Sequence, residues 1–151
     1  MRRLDGDNGP KAPLARLADE GLSILVLLGN EEVYRSYLTG VRPLLELVDW
    51  FPGGLEGAVV ADRIVGGCAA RVFAFLNVKK VLGLTGSISA ERTLHAYGIS
   101  YEFRLTLPEI RNRDNSDTCP FEKLSAEHED PHELLDAVRR KLDEFRLPPT
   151  S

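Results

Sequence analysis

The sequence predicts an α/β fold in which helices cover both sides of a mixed β-sheet. Two observations support this prediction. First, short apolar or alternating runs typical of strands recur between segments with helical periodicity. Second, the stretch from Ala58 to Leu76 is apolar on almost every side and is interrupted only by Asp62, Arg63 and Arg71. A helix that is hydrophobic all round belongs inside a domain, so we interpret this stretch as a long central helix.

The elements before this stretch follow from periodicity and from turn residues. Apolar residues from Leu14 to Leu22 trace one face of a helix. Ser23 to Leu28 is a continuous apolar run that predicts a buried strand, and Gly29-Asn30 predicts a turn into a returning strand at Val33 to Leu38. A short helix is then expected from Pro43 onward, because proline suits the first helical position.

The elements after it alternate between strand and helix. Lys80 to Leu84 predicts a strand, and Ser89 is suited to begin a helix that stops at Gly98. Ser100 to Leu105 alternates apolar with polar residues and predicts a half-buried strand, whereas Leu107 to Thr118 has no period and predicts a loop. The last helix should begin at Asp130 to Glu133, which supply an N-cap, a proline and an acid.

Composition limits the classes of function. The net charge of −4 gives no basic excess for a nucleic-acid backbone, and no apolar run is long enough to span a bilayer. Cys68 and Cys119 are predicted to be free thiols in the cytoplasm. We expect a single domain over residues 12–147, a disordered arm at 1–11 and a tail at 148–151. The sequence is compatible with either a monomer or a homo-oligomer.

Asp62 and Arg63 are the first candidate site. On the predicted helix they could form a buried ion pair, or the Asp62 carboxylate could be stabilised by the helix dipole while Arg63 extends outward. Alternatively they serve a function, because buried ionisable groups often mark sites. Gly66-Gly67 indicates that another backbone or a ligand approaches closely there, and helix packing through glycine is the simpler explanation.

Two further patterns carry weaker signals. The turn from Thr85 to Ser89, with Ser87 and Ser89, could offer N–H and hydroxyl groups to an anion, although the same residues are ordinary helix caps. His128 and His132 have the spacing of a half metal site, but Pro131 prevents them from sharing one helical face. We therefore predict neither a metal nor another cofactor.

The segment from Asn112 to Glu122 is the strongest local signal. It places an amide, a guanidinium, a thiol and carboxylates next to the helix start at Pro120, with Asn112, Arg113, Cys119 and Glu122 as the candidate residues. A thiol at a helix N-terminus near an arginine would be a better nucleophile. The alternative is an inert, buried Cys119 with Arg113 paired to a nearby acid.

Three motifs resemble an uncharacterised bacterial and archaeal family of domains of unknown function with a cytidine-deaminase-like fold. They are Gly40 to Leu47, Gly57 to Gly66, and Asn112-Arg113 together with Cys119 to Glu122. The resemblance covers most of Leu14 to Leu142, although the family usually has lysine at position 63 and methionine at position 121. It implies a three-layer α/β/α sandwich with a mixed sheet.

The resemblance also implies that the zinc site is missing. Zinc deaminases carry a His or Cys with a nearby Glu at one helix start and Pro-Cys-x-x-Cys at the next. We align these starts with Ala61 to Arg63 and with Ser87 to Ala90, which lack the ligands. Two hypotheses remain. The protein is a small-molecule-binding or regulatory domain, or it is a metal-free enzyme. In the enzyme, Asp62 would be the general base, Arg63 and Arg113 would be electrostatic stabilisers, and Cys119, as a nucleophile, or Asn112 would complete the site.

If the resemblance holds, the candidate residues should line one cavity. Asp62 and Arg63 would form one wall and Ser87 and Ser89 another, with the Asn112–Glu122 loop closing over them. The helix ends, Arg63 and Arg113 would together favour a small anionic or nucleotide-like ligand.

Overall fold

The computed structural model describes residues 12–112, 115 and 117–146. Within them the chain forms a mixed five-stranded sheet and six helices. The strands are β1 (Ile24–Leu28), β2 (Glu31–Ser36), β3 (Val59–Val65), β4 (Lys80–Ser87) and β5 (Ser100–Leu107). The helices are α1 (Pro13–Glu20), α2 (Arg42–Trp50), α3 (Gly67–Phe75), α4 (Ile88–Ala96), α5 (Pro120–Glu127) and α6 (Pro131–Arg146). The predicted arm at 1–11 and tail at 148–151 lie outside the described residues.

The sheet has the strand order β2-β1-β3-β4-β5. β1 is antiparallel to both of its neighbours, whereas β3, β4 and β5 run parallel to one another. The prediction of a mixed sheet in an α/β fold is thus confirmed, as are the hairpin near Gly29 and the helix that follows β4. Parallel neighbours need crossover connections, and α3 and α4 supply them.

The predicted central helix from Ala58 to Leu76 is wrong. Its first part is the strand β3, and only Gly67–Phe75 is helical. β3 lies between β1 and β4, and its neighbouring residues Val60 and Ala61 belong to two different apolar clusters. The first half of the strand is therefore apolar on both faces like a buried helix, and periodicity cannot separate the two. The β-branched residues Val59, Val60, Ile64 and Val65 favour the strand. The helix α5 was also absent from the predicted order of elements.

The apolar side chains of the sheet divide between two clusters. Along β1, Ile24 and Val26 belong to a large cluster with residues of α2, α3, α4 and α6, whereas Leu25 belongs to a smaller one with Leu14 and Leu17 of α1. This alternation follows from the period of two along a strand. The site described below lies on the side of the large cluster, next to the start of α3.

Asp62 and Arg63 do not form an ion pair, because neighbouring residues of a strand point to opposite faces. The Arg63 guanidinium donates hydrogen bonds to the Leu22 carbonyl oxygen at 2.5 Å and to the Leu17 carbonyl oxygen at 2.9 Å. These carbonyls lie at the C-terminal end of α1, where a cation is favourable. Arg63 therefore fastens α1 to the sheet.

Among the described helices, none combines the length and the apolarity that a membrane span requires.

We predict that Arg63→Ala lowers the free energy of unfolding by about 1–2 kcal/mol, because two charge-assisted hydrogen bonds to α1 are lost. Urea denaturation monitored by circular dichroism measures the change. The matched control is Arg104→Ala, which removes another exposed arginine from a strand of the same sheet. Equal losses in the two variants would contradict the role given to Arg63.

Candidate functional site

A cavity of about 230 Å³ opens beside the C-terminal end of β3 and the start of α3. The described residues in its walls come from five stretches of chain: the start of β1, the end of β3, the first residues of α3, the segment that leads into α2 with the first turn of α2, and the segment that leads into α5 with the first turn of α5. The polar or sulfur-bearing side chains that line it are those of Ser23, Thr39, Asp62, Arg63, Cys68, Cys119 and Glu122. The cavity thus gathers Asp62, Arg63, Cys119 and Glu122 of the eight predicted residues.

Of the two carboxyl groups that line this cavity among the described residues, Asp62 is the one whose negative charge is less well stabilised by its neighbours. It is half-buried, and within the described part of the chain no lysine or arginine pairs with it. Burial raises the pKa of Asp62 to about 7, although hydrogen bonds from the backbone N–H groups of Ile64 and Arg63 act in the opposite direction. A carboxyl group in such surroundings changes its charge near neutral pH.

Glu122 reaches from α5 to the start of α3. Its Oε1 accepts a hydrogen bond from the Gly67 N–H at 2.7 Å, and its Oε2 accepts one from the Cys68 N–H at 3.1 Å. Both N–H groups belong to the first turn of α3, which has no carbonyl partner for them within the helix. A carboxylate of the chain itself therefore occupies the place where an anionic ligand was expected.

The glycine pair makes this approach possible. A Cβ atom at Gly66 would overlap the Glu122 carboxylate, and one at Gly67 would lie 2.7 Å from Ser89 Oγ and 3.1 Å from Ser125 Oγ. A close approach does occur at Gly66-Gly67, but it is not made by the backbone or the ligand that the sequence suggested. The approaching group is the side chain of Glu122.

Ser87 and Ser89 lie near the cavity but not in its lining, as far as the described residues go. Ser87 is buried, and its Oγ accepts a hydrogen bond from the Ala90 N–H at 3.0 Å, so it caps α4. Ser89 lies close to Gly67, so the start of α4 is beside the start of α3, whereas the sequence placed the first of these helix starts at Ala61 to Arg63. The ordinary capping explanation accounts for Ser87.

Asn112 contributes less to the cavity than the sequence suggested. Asn112 Oδ1 accepts a hydrogen bond from the Asp117 N–H at 3.3 Å and lines an outer groove rather than the cavity. Arg113 lies outside the described residues, so its predicted approach to Asp62 stays a prediction. The Arg63 guanidinium is held by α1 and is not directed at a ligand, which corrects its predicted role.

Two thiols border the cavity. Cys68, the second residue of α3, was not among the candidates, although its position directly after Gly66-Gly67 could have indicated it. Burial raises the pKa of Cys68 to about 12, and the nearby Glu122 and Cys119 add to the effect while Arg71 opposes it. The Cys68 thiol is therefore neutral at physiological pH and behaves as an apolar group. Cys119 is half-buried and precedes the first turn of α5.

Histidines lie elsewhere. His128 follows the end of α5, whereas the His132 ring is in α6 and makes an edge contact with Phe75 at 5.1 Å between ring centroids. His95 is exposed in the last turn of α4. In the described residues, no three His, Cys, Asp or Glu side chains are grouped so that they could hold a metal ion.

Comparisons with known proteins agree with the motif resemblance at the level of the family. The sequence profile of the family described as "Domain of unknown function (DUF1893)" matches residues 14–142. Among solved structures, a DUF1893 family protein from Thermotoga maritima is similar, with 28% identity and a TM-score of 0.76. The match covers 90% of this chain and 99% of that chain. No curated protein matches the sequence.

We predict that Gly66→Ala lowers the free energy of unfolding by about 1–3 kcal/mol, because the new methyl group displaces the Glu122 carboxylate from the start of α3. The cost should be smaller by at least about 1 kcal/mol in a Glu122→Ala background, where no carboxylate is left to displace. Urea denaturation of the two single variants and the double variant measures this coupling.

The control for the glycine substitution is Gly53→Ala, since a Cβ atom at Gly53 meets nothing within 4 Å. Strictly additive costs at Gly66 and Glu122 would show that the two residues do not share one interaction.

We predict that Asp62→Asn stabilises the protein at pH 8 by on the order of 1–3 kcal/mol, after allowance for partial exposure. The pKa of Asp62 is raised from 3.8 to about 7, so the folded state favours the protonated form. The energetic cost of its ionisation is absent below about pH 4, grows toward pH 7 and is complete above it. The asparagine variant avoids this cost.

Urea denaturation at a series of pH values tests this prediction, with the exposed Glu56→Gln as the control. The stability gain of Asp62→Asn over wild type should shrink as the pH falls from 8 to 5. A variant less stable than wild type at pH 8 would contradict the assignment.

Proposed function

The chain belongs to the DUF1893 family of domains of unknown function, and we propose that it is a small-molecule-binding or regulatory domain. In this proposal its fold is a cytidine-deaminase-like α/β/α sandwich that works without zinc. Its ligand occupies the cavity beside Asp62.

The arrangement of the sheet supports the fold assignment. β1 is antiparallel to β3 in the order β2-β1-β3-β4-β5, and apolar clusters containing helical residues lie on both sides of the sheet. The starts of α3 and α4 lie side by side, as the two ligand-bearing helix starts of zinc deaminases do. Here those starts carry Gly67-Cys68 and Ile88-Ser89, and the carboxylate of Glu122 caps the first of them.

The observation that carries the proposal is the state of Asp62. Asp62 lines a mainly apolar cavity and has no cationic partner among the described residues, and such a carboxyl group costs stability, as its pKa of about 7 indicates. Proteins retain such groups where they perform a task, and apolar pockets with a few polar groups are typical ligand sites. A ligand that donates hydrogen bonds to Asp62 would recover part of the cost.

The charge of the cavity narrows the ligand class. Arg63 is the one cation among the described lining residues, and its guanidinium is bonded to α1, whereas Asp62 and Glu122 are both acids. We therefore propose an uncharged or cationic head with hydrogen-bond donors. The sequence predicted an anionic or nucleotide-like ligand. We keep only the planar ring of a nucleobase from that prediction, because the described lining residues do not favour an anion.

The size of the cavity also favours a small ligand head. Its volume of about 230 Å³ lies just below the usual range for ligand pockets, about 300–1,000 Å³. A single ring with a small polar substituent fits such a space.

The net charge of −4 supports a partner other than nucleic acid, and the two free cysteines support a cytoplasmic setting.

A metal-free enzyme is the second candidate. The pKa of Asp62 near 7 favours it, because a general base works best when its pKa is close to the working pH. Cys119 stays a candidate nucleophile in this proposal, although Arg63 is not placed to stabilise a developing charge. Recovery of a bound molecule as a changed product, rather than intact, would favour the enzyme over the binding domain.

We predict that benzamidine binds more tightly than benzamide, and benzamide more tightly than benzoate, at pH 8. The three probes share one shape and differ in charge and in the donors they offer to Asp62. Changes in ¹⁵N–¹H NMR spectra on titration measure the affinities and locate the site. The preference for benzamidine over benzamide should disappear in Asp62→Asn, because the variant has no carboxylate to pair with the amidinium.

Two variants, each of which replaces an alanine by the larger leucine, serve as controls for this test. Ala69→Leu fills the cavity and should weaken all three probes, whereas Ala126→Leu, at an exposed site on α5, should weaken none. Binding of benzoate as tightly as benzamidine would contradict the proposed ligand class. The absence of any probe-induced change at cavity residues would contradict the proposed function.

A further inference from the structure

We propose that the natural ligand is amphipathic: its donor-bearing head occupies the cavity and an apolar tail lies in the groove outside it. This inference rests on the proposed function, because it assumes a head group beside Asp62. It adds the class of molecule to which that head belongs.

The groove has exposed apolar side chains. Its volume is about 930 Å³, and it lies between the segment after β2, the start of α5 and the last turns of α6. Tyr37 is 62% exposed and Phe145 is 59% exposed, while Phe121 makes an edge contact with Phe145 at 5.9 Å between ring centroids. Exposed apolar groups grouped in a concave surface are typical of binding sites.

The groove and the cavity are continuous. They share the segment from Leu38 to Val41 on one side and Cys119 and Phe121 on the other. A molecule whose head lies beside Asp62 can therefore extend past these residues into the groove without leaving the protein surface.

The charges of the groove fit an uncharged tail. Arg42 is the single charged side chain among the described residues that line it. Twelve of the described residues line the groove, whereas a stable interface between two proteins uses about 20–30 residues on each side. A tail tethered to a bound head needs far less surface, because the head holds it in place.

The test compares benzamidine with benzamidine that carries a hexyl chain in the para position, by calorimetric titration into the full chain at pH 8. We expect the hexyl probe to bind at least about 10-fold more tightly, which requires only two or three methylene groups to be buried. The ratio of the two affinities is the readout, so a general effect of a substitution on the cavity cancels.

The double variant Tyr37→Ser, Phe145→Ser should reduce this ratio to near one. The matched control removes two comparably exposed apolar side chains elsewhere, Tyr97→Ser, Leu105→Ser, and should keep the ratio. Circular dichroism checks that both variants fold. A hexyl probe that gains less than about twofold, while benzamidine itself binds, overturns this inference and leaves the proposed function standing.

Two other outcomes also overturn it. If the chain dimerises and the Tyr37→Ser, Phe145→Ser variant is a monomer, the groove serves a second copy. If a tight hexyl complex forms only after deletion of residues 147–151, the groove serves the chain's own C-terminal residues. Failure of benzamidine to bind at all counts against the proposed function itself.

Discussion

The hydrogen bonds from the start of α3 to the Glu122 carboxylate organise the site. They join α5 to the junction of β3 and α3, which is where the sheet meets its most buried helix. The N–H groups of a first helical turn must find an acceptor, and here the acceptor comes from a helix more than fifty residues along the chain. The position of Cys119, the N-terminal neighbour of α5, follows from the same contact.

This contact also determines the chemistry available in the cavity. Because Glu122 neutralises the positive end of α3, that helix end no longer attracts an anionic ligand. Burial raises the pKa of the Cys68 thiol, and the nearby Glu122 carboxylate adds to the effect. Of the positive groups that the sequence placed around Asp62, the start of α3 is capped by Glu122 and Arg63 is bound to α1, whereas Arg113 lies outside the described residues. Among the described residues, the cavity is therefore mainly apolar and contains the ionisable carboxyl group of Asp62.

If the proposed fold is correct, this chain and the zinc deaminases use adjacent helix starts in two different ways. In those enzymes the starts supply metal ligands. In this chain Gly66 and Gly67 remove the side chains that would fill the junction, and an acid from α5 enters instead. The cost of an uncompensated Asp62 is the physical reason to place a ligand there, since the described neighbours leave its charge unpaired.

The sequence by itself determined the local elements: the hairpin around Gly29, the helices that begin at Pro43, Ser89 and Asp130, and the α/β class. It also singled out Asp62, Cys119 and Glu122, which line one cavity in the structure, because polar groups in apolar or loop segments are visible in a linear pattern. It could not tell β3 from a helix, since a strand covered on both faces has no amphipathic period. That error paired Asp62 with Arg63, although strand geometry sends them to opposite faces. Only the tertiary structure decided that Glu122 caps α3 and that Arg63 caps α1, because both contacts join residues more than forty positions apart.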